Sequence, residues 1–222
     1  MVLAGIGIKK LPSSSVILIE EDLGTVKSLF VQKNAEDMQR EDKQILYLST
    51  TRSKKEVYEE MSFFDITPDE SKFTILGNFR DHVAMLETFG PDAQVNKKYH
   101  TIDSSLDINQ IDICIFDTFS FIFLGESFET LVKTMESLTK ISRKNDMIFL
   151  LTLDSGVLDP HSENIIRAMA DGIIQFKTSH TGNKVGRYLN IPKMKNNLPL
   201  EKIIPFKVSQ EGIIIDVRER VG

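Results

Sequence analysis

The chain has 222 residues, 41% of them hydrophobic, and a formal net charge of −5. That length suits one domain with a continuous core, and the composition excludes wholesale disorder. The acidic balance offers no overall attraction to nucleic acid, no apolar run approaches membrane-spanning length, and the N-terminal charges follow the apolar part, the reverse of a secretory signal.

Apolar runs of strand length alternate with helix-like segments. Ser15 to Ile19 is short and β-branched, bounded by Pro-Ser-Ser-Ser and by acids, which predicts a buried strand. Thr25 to Gln39 has helical periodicity. Gln44 to Ser49 predicts a second strand, Lys54 to Phe64 a second helix, and Phe73 to Leu76 a third strand. The stretch Gly77 to Lys98 mixes Gly, Pro and charge and reads as flexible. Ile111 to Asp117 is the most apolar strand and carries the single cysteine, Cys114. A lone thiol in that setting predicts a buried structural group and an intracellular, cytoplasmic chain. Ser127 to Arg143 predicts an amphipathic helix, Met147 to Leu153 a strand, Ser162 to Ala170 a helix, and Gly172 to Lys177 a strand. Ser179 to Gly186 reads as a second flexible stretch. Arg187 to Pro192, Ile204 to Val208 and Gly212 to Val217 read as short strands joined by turns. Alternating β and α elements predict a mostly parallel sheet covered by helices on both faces.

One loop has the register of a phosphate-binding turn. Such a turn needs a strand, glycines that let backbone N–H groups point inward, a lysine for the β and γ phosphates, and a hydroxyl for magnesium. Here the strand ending at Ile19 runs into Glu20-Glu-Asp-Leu-Gly-Thr-Val-Lys-Ser28. Gly24, Lys27 and Ser28 fall at the second-glycine, lysine and hydroxyl places of such a turn. Glu21 stands at the first glycine, and Val26 at the glycine before the lysine. A β-branched valine resists positive φ, and Glu21 with Asp22 brings negative charge towards a polyanion. On its own, a plain strand–loop–helix is the simpler reading.

Further blocks bear on that reading. Leu11-Pro-Ser-Ser-Ser-Val-Ile-Leu-Ile19, Gln44 to Met61, Ile113-Cys-Ile-Phe-Asp-Thr-Phe-Ser120, Ala170-Asp-Gly-Ile-Ile174, Ile191-Pro-Lys-Met-Lys195 and Pro205 to Ile213 follow one another in order. In that order they resemble the blocks of archaeal KaiC-like ATPases of the RecA superfamily. The resemblance runs from Leu11 to Val217 and implies one three-layer α/β P-loop domain over residues 1–222. Residues 1–10 would form an N-terminal extension, and residues 187–222 the C-terminal strands and hairpin. It also implies an ATP site with Mg2+, made by Gly24, Thr25, Lys27, Ser28, Asp117 and Thr152. Ser28 and Asp117 would hold the metal, and Thr152 would occupy a polar sensor position. Lys193 and Lys195 match a basic pair that relatives project into a neighbouring subunit's site. Active relatives place an acidic base just after the second strand; Thr51 and Arg52 stand there, and neither is a carboxylate.

The resemblance therefore implies a catalytically degenerate homologue, with a degenerate Walker A loop, acting as a regulatory or partner-binding subunit that retains at most weak nucleotide binding. Its partner would be another protein, a paralogous ATPase or copies of itself. Two alternatives are an active ATPase with an atypical loop whose base comes from another residue or chain, and a RadA-paralogue-like DNA-repair mediator using Lys184 to Lys202. Each site residue also has a plainer reading. Lys27 could be a solvated lysine in a first helical turn, Asp117 a helix cap, and Lys193 with Lys195 surface charge. The histidines His82, His100, His161 and His180 share no metal-ligand spacing. Ser13-Ser-Ser15 lacks a nucleophile-elbow context. The phenylalanines between Phe119 and Phe128 read as core rather than a partner surface.

Overall fold

The computed structural model describes residues 2–6, 8, 10–22, 24–79, 110–199 and 203–215. Its strands are β1 (Ser15–Glu21), β2 (Ile45–Ser49), β3 (Phe73–Leu76), β4 (Ile113–Asp117), β5 (Ile148–Asp154), β6 (Gly172–Thr181), β7 (Lys184–Met194), β8 (Ile204–Ser209) and β9 (Gly212–Ile215). Among the described residues they form one sheet in the order β3-β2-β4-β5-β1-β6-β7-β8-β9. The pairings from β3 through β6 are parallel, and those from β6 to β9 antiparallel.

Side chains alternate strictly along the central strands. On β1, Ile17 and Ile19 join one core while Val16 and Leu18 join the other. Both faces are covered, so β1 is buried over its whole length, which explains its unbroken apolar run. Each such Leu or Ile contributes about 1.5–3 kcal/mol on burial. The helices are α1 (Val2–Gly5), α2 (Val26–Gln39), α3 (Lys54–Phe63), α4 (Phe128–Asn145) and α5 (Pro160–Met169). The first core takes in α2 and α3 residues, Leu29, Phe30, Val57 and Met61 among them. The second takes Leu131, Met135 and Leu138 of α4 and Ile166 of α5.

Local chemistry sets the helix starts. Ser53 and Glu56 form a reciprocal capping box on α3, Ser127 caps α4, and Asp159 caps α5, with Pro160 in its first turn. Helix α4 ends at Asp146 in the left-handed conformation (φ 53°).

Several boundaries differ from expectation. Strand β1 continues to Glu21, so that side chain leaves the end of a strand rather than a loop. Strand β6 continues to Thr181 and β7 begins at Lys184, so the stretch Ser179 to Gly186 is mostly a tight antiparallel hairpin. Strand β7 runs on past Pro192 to Met194 as one long strand. The β6–β7 register shifts between Ile173 and Gln175, and such a bulge tolerates a proline. Helix α1 and a 3-10 turn at Phe119–Phe123 were not foreseen. Phe119, Ile122 and Phe123 are buried, so this turn belongs to the core as expected, whereas Phe121 is half-buried and Phe128 is exposed. Cys114 is fully buried, which pushes its thiol pKa well up. Gly77 to Phe79 is described, while the rest of the stretch to Lys98 lies outside the described residues, as do His82 and His100.

Candidate functional site

The loop after β1, the tip of β4 and the end of β5 meet at the carboxyl ends of the parallel strands, where open α/β sheets form their crevice. Two charged clusters lie there.

The first is inside the loop. Glu21 is almost fully buried, and its carboxylate accepts the backbone N–H of Lys27 at 3.0 Å. That carboxylate lies so close to Gly24 that a Cβ there would stand 2.3 Å from its Oε1. A side chain at position 24 would therefore have to push the Glu21 carboxylate aside. Burial raises the Glu21 pKa, and the N–H bond and charge of Lys27 pull against that rise. Lys27 is itself buried and turned inward. Its Nζ donates to the Gly24 carbonyl at 2.7 Å and pairs with Asp154 at 2.6 Å. The solvated-lysine reading is thus corrected: at 3% exposure the charge must be paired, and Asp154 pairs it. Thr25 occupies the N-cap position of α2 without a side-chain cap bond.

Asp117 organises the second cluster. At 0% exposure its carboxylate needs donors, and the fold supplies four. The hydroxyls of Ser28 (2.8 Å) and Thr152 (3.0 Å) both donate to Oδ1. The Tyr47 phenol and the Arg52 guanidinium donate to Oδ2. Asp117 is therefore not a helix cap, because its carboxylate is spent on side chains from β2, α2, β5 and the loop after β2. Burial, then the neighbouring Asp117 charge, raises the Tyr47 pKa well above normal and keeps the phenol neutral. Burial works against the Arg52 charge, and the facing carboxylates of Asp117 and Glu60 more than offset it. The other end of Arg52 pairs with Glu60 on α3, which also accepts from Gln32 Nε2 at 2.7 Å.

Sequence reasoning thus placed Gly24, Lys27, Ser28, Asp117, Thr152 and Arg52 in one neighbourhood, and the fold brings them together. Thr51 makes no hydrogen bond there, while Thr50 bonds the Asp117 and Thr118 carbonyls. Lys193 and Lys195 do not join the site. They lie at the opposite end of the strands, where Lys193 Nζ donates to the Ala168 carbonyl at 3.0 Å and Lys195 Nζ to the Ser14 carbonyl at 2.8 Å. Sequence reasoning missed Tyr47, Glu60, Gln32 and Asp154. A lone hydroxyl-bearing aromatic in an aliphatic strand, and an acid ending the strand that carries Thr152, were the available signals for Tyr47 and Asp154.

A magnesium nucleotide does not fit these residues as they stand. The loop N–H of Lys27 already has an anion, the lysine already has a carboxylate, and a guanidinium sits on the carboxylate that would face a metal. Among the described residues no group of three His, Cys, Asp or Glu could hold a metal ion, and no helix is long and apolar enough to cross a membrane.

A family model described as "ATPase: KaiC" matches residues 5–220. Among solved structures, the flagellar accessory protein FlaH from Methanocaldococcus jannaschii is similar with a TM-score of 0.77 and 19% identity, over 97% of this chain and 95% of that one. The KaiC-like protein PH0186 from Pyrococcus horikoshii OT3 is similar with a TM-score of 0.69 and 19% identity, over 93% and 91%. No curated protein matches the chain. At these identities the structures establish the fold, with its parallel core and antiparallel C-terminal strands.

Proposed function

The chain belongs to the KaiC ATPase family, and on that premise we propose that it is a catalytically degenerate homologue acting as a regulatory or partner-binding subunit. The single observation that carries this reading is that its own side chains take the electrostatic places of the nucleotide complex. The Glu21 carboxylate stands in for a phosphate on the loop N–H, and the Arg52 guanidinium stands in for a metal on Asp117.

A polyphosphate entering this loop would have to displace Glu21, break Lys27 from Asp154, and tolerate a carboxylate of its own sign nearby. Removing Glu21 still leaves Val26 where closely approaching backbone is needed. Hydrolysis further requires a carboxylate or equivalent to orient water, and the positions after β2 hold Thr51 and Arg52. ATP with Mg2+ is therefore at most weakly held. The likeness to a protein described as a flagellar accessory factor supports an accessory role. Lys193 and Lys195 face away from their own chain's site, which suits contact with a neighbouring subunit, either a second copy or an active paralogue.

Calorimetric titration of Mg-ATP into wild type and into Glu21→Gly/Val26→Gly tests the reading. Wild type is expected to show no saturable heat below about millimolar nucleotide, and the double variant to bind at least about tenfold more tightly. Micromolar binding by wild type would overturn it.

One observation favours a second reading, an active ATPase with an unorthodox site: Glu60 reaches the Asp117 cluster through Arg52 and could serve as the missing base once that pair opens. Turnover by wild type that disappears in Glu60→Gln would select it.

A further inference from the structure

Past the last residue of β1 the sheet narrows to a two-stranded arm. Glu21 pairs with Phe176, so residues 177–181 of β6 run on with no strand on their β1 side among the described residues, an advance of about 17 Å beyond Glu21. Gly182, at φ 58°, opens the two-residue turn into β7, and cross-strand pairing holds from Thr181 with Lys184 back to Lys177 with Tyr188. On the other side β8 pairs with β7 only at Tyr188 and Leu189 before it turns away to β9. The β7 edge over residues 184–187 is therefore open among the described residues.

Lys184, Val185 and Arg187 are exposed on that edge, Val185 at 52%. A free strand edge presents unpaired backbone N–H and C=O groups, and a two-stranded ribbon alone is at best marginally stable in water. The Tyr188 ring covers one face of the arm by lying over Gly186, where a Cβ would stand 2.7 Å from the tyrosine hydroxyl.

Charge decides what can pair there. No Asp or Glu occurs from residue 172 to residue 200, although the whole chain is net −5. Paired residues share a face, which puts Lys184, Lys177 and Tyr188 on one face and Arg187, Val185 and His180 on the other. Lys177, Lys184 and Arg187 have no ion pair or side-chain hydrogen bond among the described residues. Like charges along an edge disfavour pairing with a second copy of it and favour a strand of opposite charge. Lys184 and Arg187 stand three rises apart, about 10 Å, on opposite faces, which suits a strand whose carboxylates recur at the same interval. Nucleic acid fits less well, because cations divided between two faces do not follow one phosphate backbone and Tyr188 is already laid against Gly186.

We propose that the β7 edge of this arm takes up an extended acidic segment of a partner protein as an added strand. The segment's backbone pairs with residues 184–187, and its carboxylates meet Lys184 on one face and Arg187 on the other. The inference rests on the partner-binding half of the function proposed above and gives it a surface and a partner chemistry. No residue of the loop site takes part.

The probe is a fluorescein-labelled nine-residue peptide, Glu-Thr-Val repeated three times, titrated with the full chain at physiological salt and followed by anisotropy. The same peptide added to the 15N-labelled chain locates the contact by amide shifts. The expected result is saturable binding with a dissociation constant of about 100 µM and shifts at residues 184–187. Lys184→Glu/Arg187→Glu, at exposed positions, should weaken it at least about tenfold with Tm unchanged. A peptide with every threonine N-methylated keeps its charge, loses strand donors, and should bind at least about tenfold more weakly. The proposal is overturned if no binding saturates below about 1 mM, if the methylated peptide or the double variant binds as well, or if the shifts fall elsewhere. Tighter binding of a labelled twenty-nucleotide oligothymidine would make the arm a nucleic-acid surface, and self-association lost in the double variant would make the occupant a second copy; either also overturns it. ATP turnover measured on the same samples keeps the two readings apart. Turnover with peptide binding removes only the catalytic degeneracy, and absence of both removes only the arm's role.

Discussion

Replacing Arg52 with leucine removes the only cationic partner of Asp117 among the described residues. Asp117 is completely buried, and breaking a buried pair by removing one partner costs about 3–5 kcal/mol because a charge is left uncompensated. Three neutral donors remain to Asp117, from Ser28, Thr152 and Tyr47, so the lower end of that range, about 3 kcal/mol, is the expectation here. For a chain of this size about 3 kcal/mol lowers Tm by about 6–12 °C. Asp117→Asn in the same background removes the stranded charge, so the double variant Arg52→Leu/Asp117→Asn should recover about half the loss or more, a coupling of order 2 kcal/mol. Thermal unfolding of the wild type, both single variants and the double variant, followed by circular dichroism in the absence of divalent metal, supplies the four values of the cycle. A single-variant fall below about 2 °C, or a double variant equal to the sum of the singles, would refute the argument that Arg52 is what lets Asp117 stay buried and charged.

Glu21 predicts a pH dependence. Its folded pKa lies above the ordinary 4.5 because of burial, so the folded state binds the proton more tightly than the unfolded state does, and stability is lost as pH rises from about 4.5 through the folded value. The Tm advantage of Glu21→Gln over wild type should therefore grow across that window, and a difference that is flat with pH would count against the assignment. Steady-state phosphate release should stay at background and be unaffected by Lys27→Ala; a clear rate abolished by that change would contradict the proposed degeneracy. Affinity for nucleic acid should not exceed the non-specific range of about 10⁻⁴–10⁻⁶ M at physiological salt. Lys184 and Lys193 are spread over nine rises of β7, about 30 Å, rather than gathered in one patch. Fluorescence anisotropy with single- and double-stranded oligonucleotides reads this, and submicromolar affinity lost on Lys193→Glu/Lys195→Glu would instead favour the DNA-repair alternative.

Strand and helix positions in the parallel half were legible because strands buried on both faces are short, β-branched and unbroken, as in Val16 to Ile19 and Ile113 to Phe116. The antiparallel half was less so. Strand β7 shows only two half-buried positions, Gly186 and Tyr188, before Leu189 and Ile191, and Pro192 looked like a terminus until the bulge opposite Ile173 and Gln175 absorbed it. The site divided in a similar way. Lys27, Ser28 and Asp117 were found through loop register and through an acid ending an apolar strand. The partners that neutralise them were not, because Asp154 and Glu60 reach the cluster only through pairing across β1–β5 and through packing of α3 beside β2. Periodicity carries no information about which distant acid meets which buried cation. The inward turn of Glu21 was foreseen only as unfavourable charge, and its carboxylate occupies the space that a Cβ at Gly24 would otherwise enter.

That self-liganded loop has a consequence for how the chain would fare in a cell. A protein that binds nucleotide only when folded gains stability by mass action, about 4 kcal/mol when the ligand stands at a thousand times its dissociation constant, and loses it when the pool falls. With Glu21 holding the Lys27 amide and Arg52 holding Asp117, the counter-ions are covalently part of the polypeptide and cannot be diluted away. Its folded population should then be the same in starved and in energised cells.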